Sequence, residues 1–417
     1  MLESAYPLQD TTDADLQRIT QALWRWNICE ACGAGKKCVD TCCAWKRSAR
    51  LGHFFDFYKD ITASYVPDLL PGSEPALRSH EDIVNIIKLL REKPSIKRSD
   101  LTHEYFSRRG AKLPSMADQH RAFNLVVQVM AMVKCSAGNQ PSGVLELGTQ
   151  PLPWHSDKSL TEFMLDAFPH FGVVNLNLHD DLNKTRDVKP VLTATRLKKV
   201  AGLRFRGTDD LRNHLRMDDR RGIVEIYHYT SVLKEHLAAS RLIGDDAATL
   251  EQSISRGIVP RQIALEALDS VQKILFPFDS DSEVFLRGLV SKQSFDPECL
   301  RYDSTGYRMQ AEQEIRYKYF GRRLLDLLEE VENPSPRGTL EKWLQRKSGA
   351  RYVMMATLVG VFCAVVLGIL GLAVGIFQAW VAYEAWKYPP TPPRIGEFDT
   401  RRPEIDPGRR RSAERAI

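Results

Sequence analysis

The chain has 417 residues, with 58 Lys and Arg against 53 Asp and Glu for a formal charge of +5, and hydrophobic residues make up 43% of it. That length suits two or three ordinary domains, and the charge is too evenly balanced to argue for nucleic acid as a partner. The apolar content is that of a globular protein, which excludes wholesale disorder, a collagen-like repeat and a small disulfide scaffold.

Residues 1–80 read as an N-terminal segment that starts polar and acidic, without the basic start and apolar stretch of a signal peptide. A polar helix is expected first. Five of the eight cysteines then fall between Cys29 and Cys43, in the pattern C-x2-C-x5-C-x3-C-C. Four thiolates suit tetrahedral zinc, so Cys29, Cys32, Cys38 and Cys42 are candidate ligands, with Gly33 and Gly35 turning the chain and His53 able to replace one thiolate. The spacing is tighter than in usual zinc sites, whose pairs lie about 12 to 20 residues apart. Disulfides or reduced thiols are the other states open to it. The neighbouring Gly33-Ala34-Gly35-Lys36-Lys37 lacks the register of a phosphate loop.

Residues 81–135 predict a small helical domain. Ile83, Ile86, Ile87 and Leu90 form an apolar stripe stopped by Pro94, a second helix starts at Ser99, and a third covers roughly Asp118 to Lys134. Residues 136–155, rich in Gly and Pro, read as a linker or long loop. Residues 156–333 predict an α+β part followed by a helical one. TATRLKKVAG looks helical, LRFRG alternates like a strand, Thr208 with Asp209 and Asp210 should cap a helix over DDLRNHLRM, and GIVEIYHY reads as a second strand. Helical patterns follow at Asp246–Arg256, Arg261–Leu275, Ser282–Ser291 and Gln310–Val331.

Within this part, Arg186 to Arg221 holds eleven basic and five acidic residues. A winged helix shares its element pattern, but a solvated basic surface is the simpler reading, and no nucleic acid is expected. His179-Asp180-Asp181 reads as a solvated turn. Asp279, Asp281 and Glu283 imitate a calcium loop that fails at Val284 and Val290. The sequence contains no G-x-S-x-G and no H-E-x-x-H.

Residues 334–351 read as a basic amphipathic segment suited to an anionic membrane surface. From Tyr352 to Tyr383 there are then 32 consecutive uncharged residues, where about 20 suffice to cross a hydrocarbon core. Residues 352–383 are therefore expected to be a transmembrane helix in a lipid bilayer. Tyr352 at one end and Trp380, Tyr383 and Trp386 at the other match the aromatic belts of the two interfaces. Gly360, Ala364, Gly368, Gly371 and Gly375 share one face, so the span is expected to self-associate or dock on a partner span. Five basic residues in the fifteen before the span, against Lys387 and Arg394 in the fifteen after it, favour a cytosolic placement of the residues before 352. Residues 384–417, rich in Pro and Arg, are expected to be a disordered tail.

The fold class expected is mainly α, with a small α+β portion in the middle and one C-terminal transmembrane helix. The stretch RKSGARYVMMATLVGVFCAVVLGILGLAVGIFQAWVAYEAWKYPP resembles the end of a group of single-pass membrane proteins of filamentous fungi. HFFDFYKDI, LTATRLKKVAGLRFRGTDDLRNHL and LFPFDSDSEVFLRGLVSKQSFDPECLRYDS are similar to that group too, so the likeness covers most of residues 26–388. It implies a fungal, membrane-anchored product and brings no activity, cofactor or catalytic residue with it. The expected function is a non-catalytic regulatory or scaffolding protein; a membrane-tethered accessory enzyme and a zinc-stabilised interaction module are the alternatives.

Overall fold

Thr12 starts the first helix: its hydroxyl accepts from the Asp15 N–H while the Asp15 carboxylate accepts from the Thr12 N–H, a reciprocal cap on α1 (Asp13–Trp24). Leu16, Ile19 and Leu23 then turn inward at helical spacing. A single helical turn, α2 (Glu30–Gly33), lies in the cysteine-rich stretch. The computed structural model describes residues 6–388 except 39–41, 69–72, 110–111, 137–150, 171, 173–176, 181–183, 188, 242–253, 255–257, 294, 310–311, 313–314 and 335–350. The helical pattern at Asp246–Arg256, the juxtamembrane segment from 335 and the tail from 389 thus fall almost wholly outside the described residues.

α3 (Gly52–Ala63) buries Phe54, Phe55, Phe57 and Tyr58. α4 (His80–Glu92) buries the expected stripe Ile83, Ile86, Ile87 and Leu90 and stops ahead of Pro94. α5 (Arg98–Ser107) follows, then α6 (Met116–Ala131), whose first turn is capped by the Ser115 hydroxyl accepting from the Asp118 N–H. The stretch read as a linker is pinned at both ends. β1 (Cys135–Ser136) pairs parallel with β2 (Leu152–Pro153), and Trp154 behind β2 is wholly buried.

After α7 (Leu160–Ala167) and the hairpin β3 (Asn177–Asp180) with β4 (Lys184–Asp187), α8 (Ala194–Ala201) is capped by Thr193 and closed by Gly202 at φ 65. β5 (Arg204–Thr208), β6 (Met217–Asp218) and β7 (Ile223–Tyr227) form a sheet in the order β5-β7-β6, with β5 parallel and β6 antiparallel to β7. The helix expected over DDLRNHLRM does not form. Asp210, in place of Thr208, caps one 3₁₀ turn at Leu211–Asn213, and the chain then pairs Met217 with Val224. The sheet offers those backbone groups better partners than a short helix would.

α9 (Thr230–Arg241), α10 (Arg261–Asp269) running into a π turn at Ser270–Leu275, α11 (Ser280–Gln293) and α12 (Gly321–Glu332) complete this unit. The helix expected from Gln310 begins only at Gly321. The wholly buried Glu266 carboxylate accepts from the N–H groups of Lys318, Tyr319 and Phe320, holding them in a turn and capping the positive end of α12.

Buried side chains from Leu8 to Val331 form a single core cluster. The segments distinguished at 1–80, 81–135, 136–155 and 156–333 are accordingly parts of one compact unit, Met1–Arg337, and Gly338–Ile417 forms a second. The second unit holds α13 (Arg351–Lys387), in which Thr357–Lys387 is long and apolar enough to cross a membrane and has none of its most apolar stretch buried. Among the described residues the chain is mainly helical, with a three-stranded sheet near the middle of the sequence.

Candidate metal centre

The cysteine-rich stretch is closed at its base, where the Ala44 N–H donates to the Asn27 carbonyl at 2.9 Å. Inside it, the Gly33 and Ala34 N–H groups donate back to Cys29 and Glu30, and Gly35 at φ 68 reverses the chain with its N–H on the Cys32 carbonyl. The left-handed conformation at Gly35 is one that a side chain would strain. This tight turn is what lets a C-x2-C pair and two later thiols converge despite the short spacing.

The four that converge are Cys29, Cys32, Cys38 and Cys43, whose Sγ atoms all lie within 4.8 Å of one another. Cys29 to Cys38 and Cys43 to Cys32 are each 3.8 Å apart. A tetrahedron of sulfurs around zinc at about 2.3 Å has edges of about 3.8 Å, whereas a disulfide bond is about 2.0 Å. Two of the separations equal such an edge and none of the eight cysteines is in a disulfide, so the group could hold a metal ion.

Cys42, expected as the fourth ligand, is exposed, and Cys43 takes its place at 4% exposure. The reason is local: Cys43 is the residue before the 3₁₀ helix Ala44–Leu51, pinned by the Ala44–Asn27 bond, and its Sγ accepts from the Cys29 N–H at 3.4 Å. His53 sits half-buried on α3, outside the thiol group. The Cys32 N–H donating to the Cys29 sulfur, ahead of the neighbouring thiols, draws the Cys29 thiol down to about 7. Burial pushes the Cys32 thiol up.

Residues just outside the loop dock it. The Gln17 side-chain amide on α1 donates to the Cys32 carbonyl at 3.0 Å. Trp26 Nε1 and the Arg47 guanidinium both donate to the buried Glu235 carboxylate on α9, at 2.9 Å for Trp26 and at 2.9 and 2.8 Å for the two Arg47 nitrogens. The guanidinium also lies 5.1 Å from the Trp26 ring centre. Trp26, Arg47 and Glu235 are not marked by any motif, since Glu235 is 188 positions from Arg47 in sequence.

The remaining candidates have structural roles or are only partly described. Asp279 accepts from the Ser282 N–H at 2.8 Å as the cap of α11, and Glu283 pairs with Arg287 at 2.6 Å. His179 and Asp180 lie in β3, and Asp181 falls outside the described residues. On α13, Trp380, Tyr383 and Trp386 are exposed, as are Gly360, Ala364, Gly368, Gly371 and Gly375, whose glycines have open space where a Cβ would stand. The side chain of Tyr352 falls outside the described set. No protein-family model, curated protein or solved structure matches the chain.

Proposed function

We propose that this chain is a membrane-anchored regulatory or scaffolding protein whose globular unit, on the cytosolic side, is stapled by one structural zinc ion held by Cys29, Cys32, Cys38 and Cys43. The observation that carries the metal is the convergence of four thiols within 4.8 Å. Four protein sulfurs close a tetrahedral shell and leave no position for substrate or water, so such an ion holds structure together and does no chemistry of its own. What it would hold is the base of the loop, and with it the grip of Trp26 and Arg47 on Glu235.

The anchor rests on Thr357–Lys387, with the face of Gly360, Ala364, Gly368, Gly371 and Gly375 available for association with a second span. Thiols kept free for metal, and the basic excess ahead of the span, support the cytosolic side.

Metal analysis of the full chain purified in detergent tests the proposal. One zinc per chain is expected, lost on Cys43→Ser and retained on Cys42→Ser. A folded, metal-free protein, or the reverse pattern in the two variants, overturns it.

A further inference from the structure

The four converging thiols fall into two pairs that differ in their access to solvent. Cys29 Sγ lies 3.8 Å from Cys38 Sγ, and both residues are half-buried. Cys43 Sγ lies 3.8 Å from Cys32 Sγ, and both residues are only 4% exposed. The reversal at Gly35 separates this outer pair from the inner one. It brings Cys38 back to Cys29, just ahead of α2, while Cys32 within α2 has its carbonyl held by the Gln17 amide of α1. Cys42 is exposed and stands outside the quartet. Cys135 and Cys299 instead donate to backbone carbonyls, of Asn124 at 3.0 Å and of His228 at 3.1 Å.

A thiol that responds to peroxide needs an accessible sulfur and a second thiol close enough to resolve the sulfenic acid formed on it. The outer pair meets both conditions. The inner sulfurs are equally close to each other, but burial closes them to an oxidant. Bonding the outer pair takes its sulfurs from 3.8 Å to about 2.0 Å, a displacement within the reach of side-chain rotation. A structural zinc site needs four ligands to close its shell, so the two thiols left over would not retain an ion.

We propose that the quartet is a peroxide-sensitive switch in which Cys29 and Cys38 close to a disulfide while Cys32 and Cys43 stay reduced. Hydrogen peroxide is the oxidant. The sulfur of Cys29 or Cys38 attacks one peroxide oxygen; an S–O bond forms, the O–O bond breaks, and the departing hydroxide takes up a proton to leave as water. The other outer sulfur then attacks the sulfenic acid, the S–S bond forms, and the second oxygen leaves as water. Two thiols and one peroxide thus become one disulfide and two waters. Release of an ion rests on the zinc reading given above, whereas the pairing of the thiols does not. With zinc bound, two of its four ligands are withdrawn, the ion departs, and Cys32 and Cys43 take up protons. A dithiol reductant reverses the step by exchange. The ion's hold on the base of the loop, next to the grip of Trp26 and Arg47 on Glu235, is thereby placed under the control of an oxidant.

The full chain purified in detergent, its zinc content measured beforehand, is treated with a small excess of hydrogen peroxide. Zinc release is followed with a chromogenic chelator, and the cysteines are then alkylated and mapped by peptide mass spectrometry. A disulfide joining Cys29 to Cys38 is expected, with Cys32 and Cys43 recovered as alkylated thiols and the bound zinc released. Dithiothreitol with added zinc should restore both outer thiols and the zinc content. Cys42→Ser, which changes no member of the quartet, should leave the disulfide and the release unaltered. A chain isolated without zinc that still joins Cys29 to Cys38 supports the pairing and overturns the zinc reading alone. Failure to form that disulfide, a disulfide that draws in Cys32, Cys42 or Cys43 instead, or zinc retained after it has formed, overturns the proposal.

Discussion

His228 stands almost wholly buried, its ring 4.2 Å from that of Tyr229 and 5.1 Å from that of Phe295. Its Nδ1 accepts from the Asp296 N–H at 3.1 Å, which leaves the ring proton on Nε2. The ring fits only because Gly207 on β5 has no side chain: a Cβ there would come within 2.8 Å of His228 Cδ2. His214 is enclosed in the same way, with Nδ1 accepting from the Tyr227 N–H at 3.2 Å and Nε2 donating to the Ser270 hydroxyl at 2.7 Å. Burial presses both rings down to about 3. Both are therefore neutral in the fold above about pH 3, while in the unfolded chain they take up protons below about 6.5. Stability is complete above about pH 6.5 and falls as the pH drops toward 3, by up to about 1.4 kcal/mol per pH unit for each ring. Asn keeps an acceptor for the Asp296 N–H but does not titrate. Urea midpoints at pH 7 and pH 5 should differ less for His228→Asn than for the unmodified chain, and an equal difference would remove His228 as a source of acid sensitivity.

Two elements departed from their local pattern, and in both a distant group outbid the helix. Residues 209–217 carry a good acidic cap, yet Met217 and Asp218 join β7 and the Leu211 N–H donates to the Met132 carbonyl at 2.9 Å. The approach to α12 is held open by Glu266, more than fifty positions away in sequence. The cysteine-rich loop shows the same limit. Spacing selects the stretch and suggests four ligands, but Cys42 and Cys43 are neighbours, and only the pinning of Ala44 to Asn27 decides which turns inward. The loop's dock on α9 can be removed by one change. Glu235→Ala deprives Trp26 and Arg47 of their shared acceptor, and hydrogen bonds to charged groups are worth about 1.5 to 3 kcal/mol each. A loss of about 2 to 3 kcal/mol is expected in denaturant unfolding, with faster metal loss to a chelator than in the unmodified protein. Unchanged unfolding would mean that the loop stands without this dock.

At the scale of the molecule, the two units differ in where their apolar side chains lie. Met1–Arg337 is organised around a continuous apolar core. In Thr357–Lys387, Leu367, Ile369, Leu372 and Phe377 are all more than 60% exposed. Exposed apolar surface on that scale is stable in lipid and not in water. Full-length protein is expected in the membrane pellet after alkaline carbonate washing, and a chain lacking residues 352–383 in the supernatant. A deletion that stays in the pellet would move the anchor elsewhere in the chain.

The long apolar helix and the amphipathic stripe of α4 were legible in the residue order because each depends on neighbours a few positions apart: an unbroken apolar run and a 3.6-residue period. The thiol quartet, the Glu235 dock and the buried histidines were decided only in three dimensions. Each joins residues far apart in sequence or chooses between adjacent ones, and a choice made by long-range packing and by the cost of burying unpaired polar groups leaves no periodic trace in the chain.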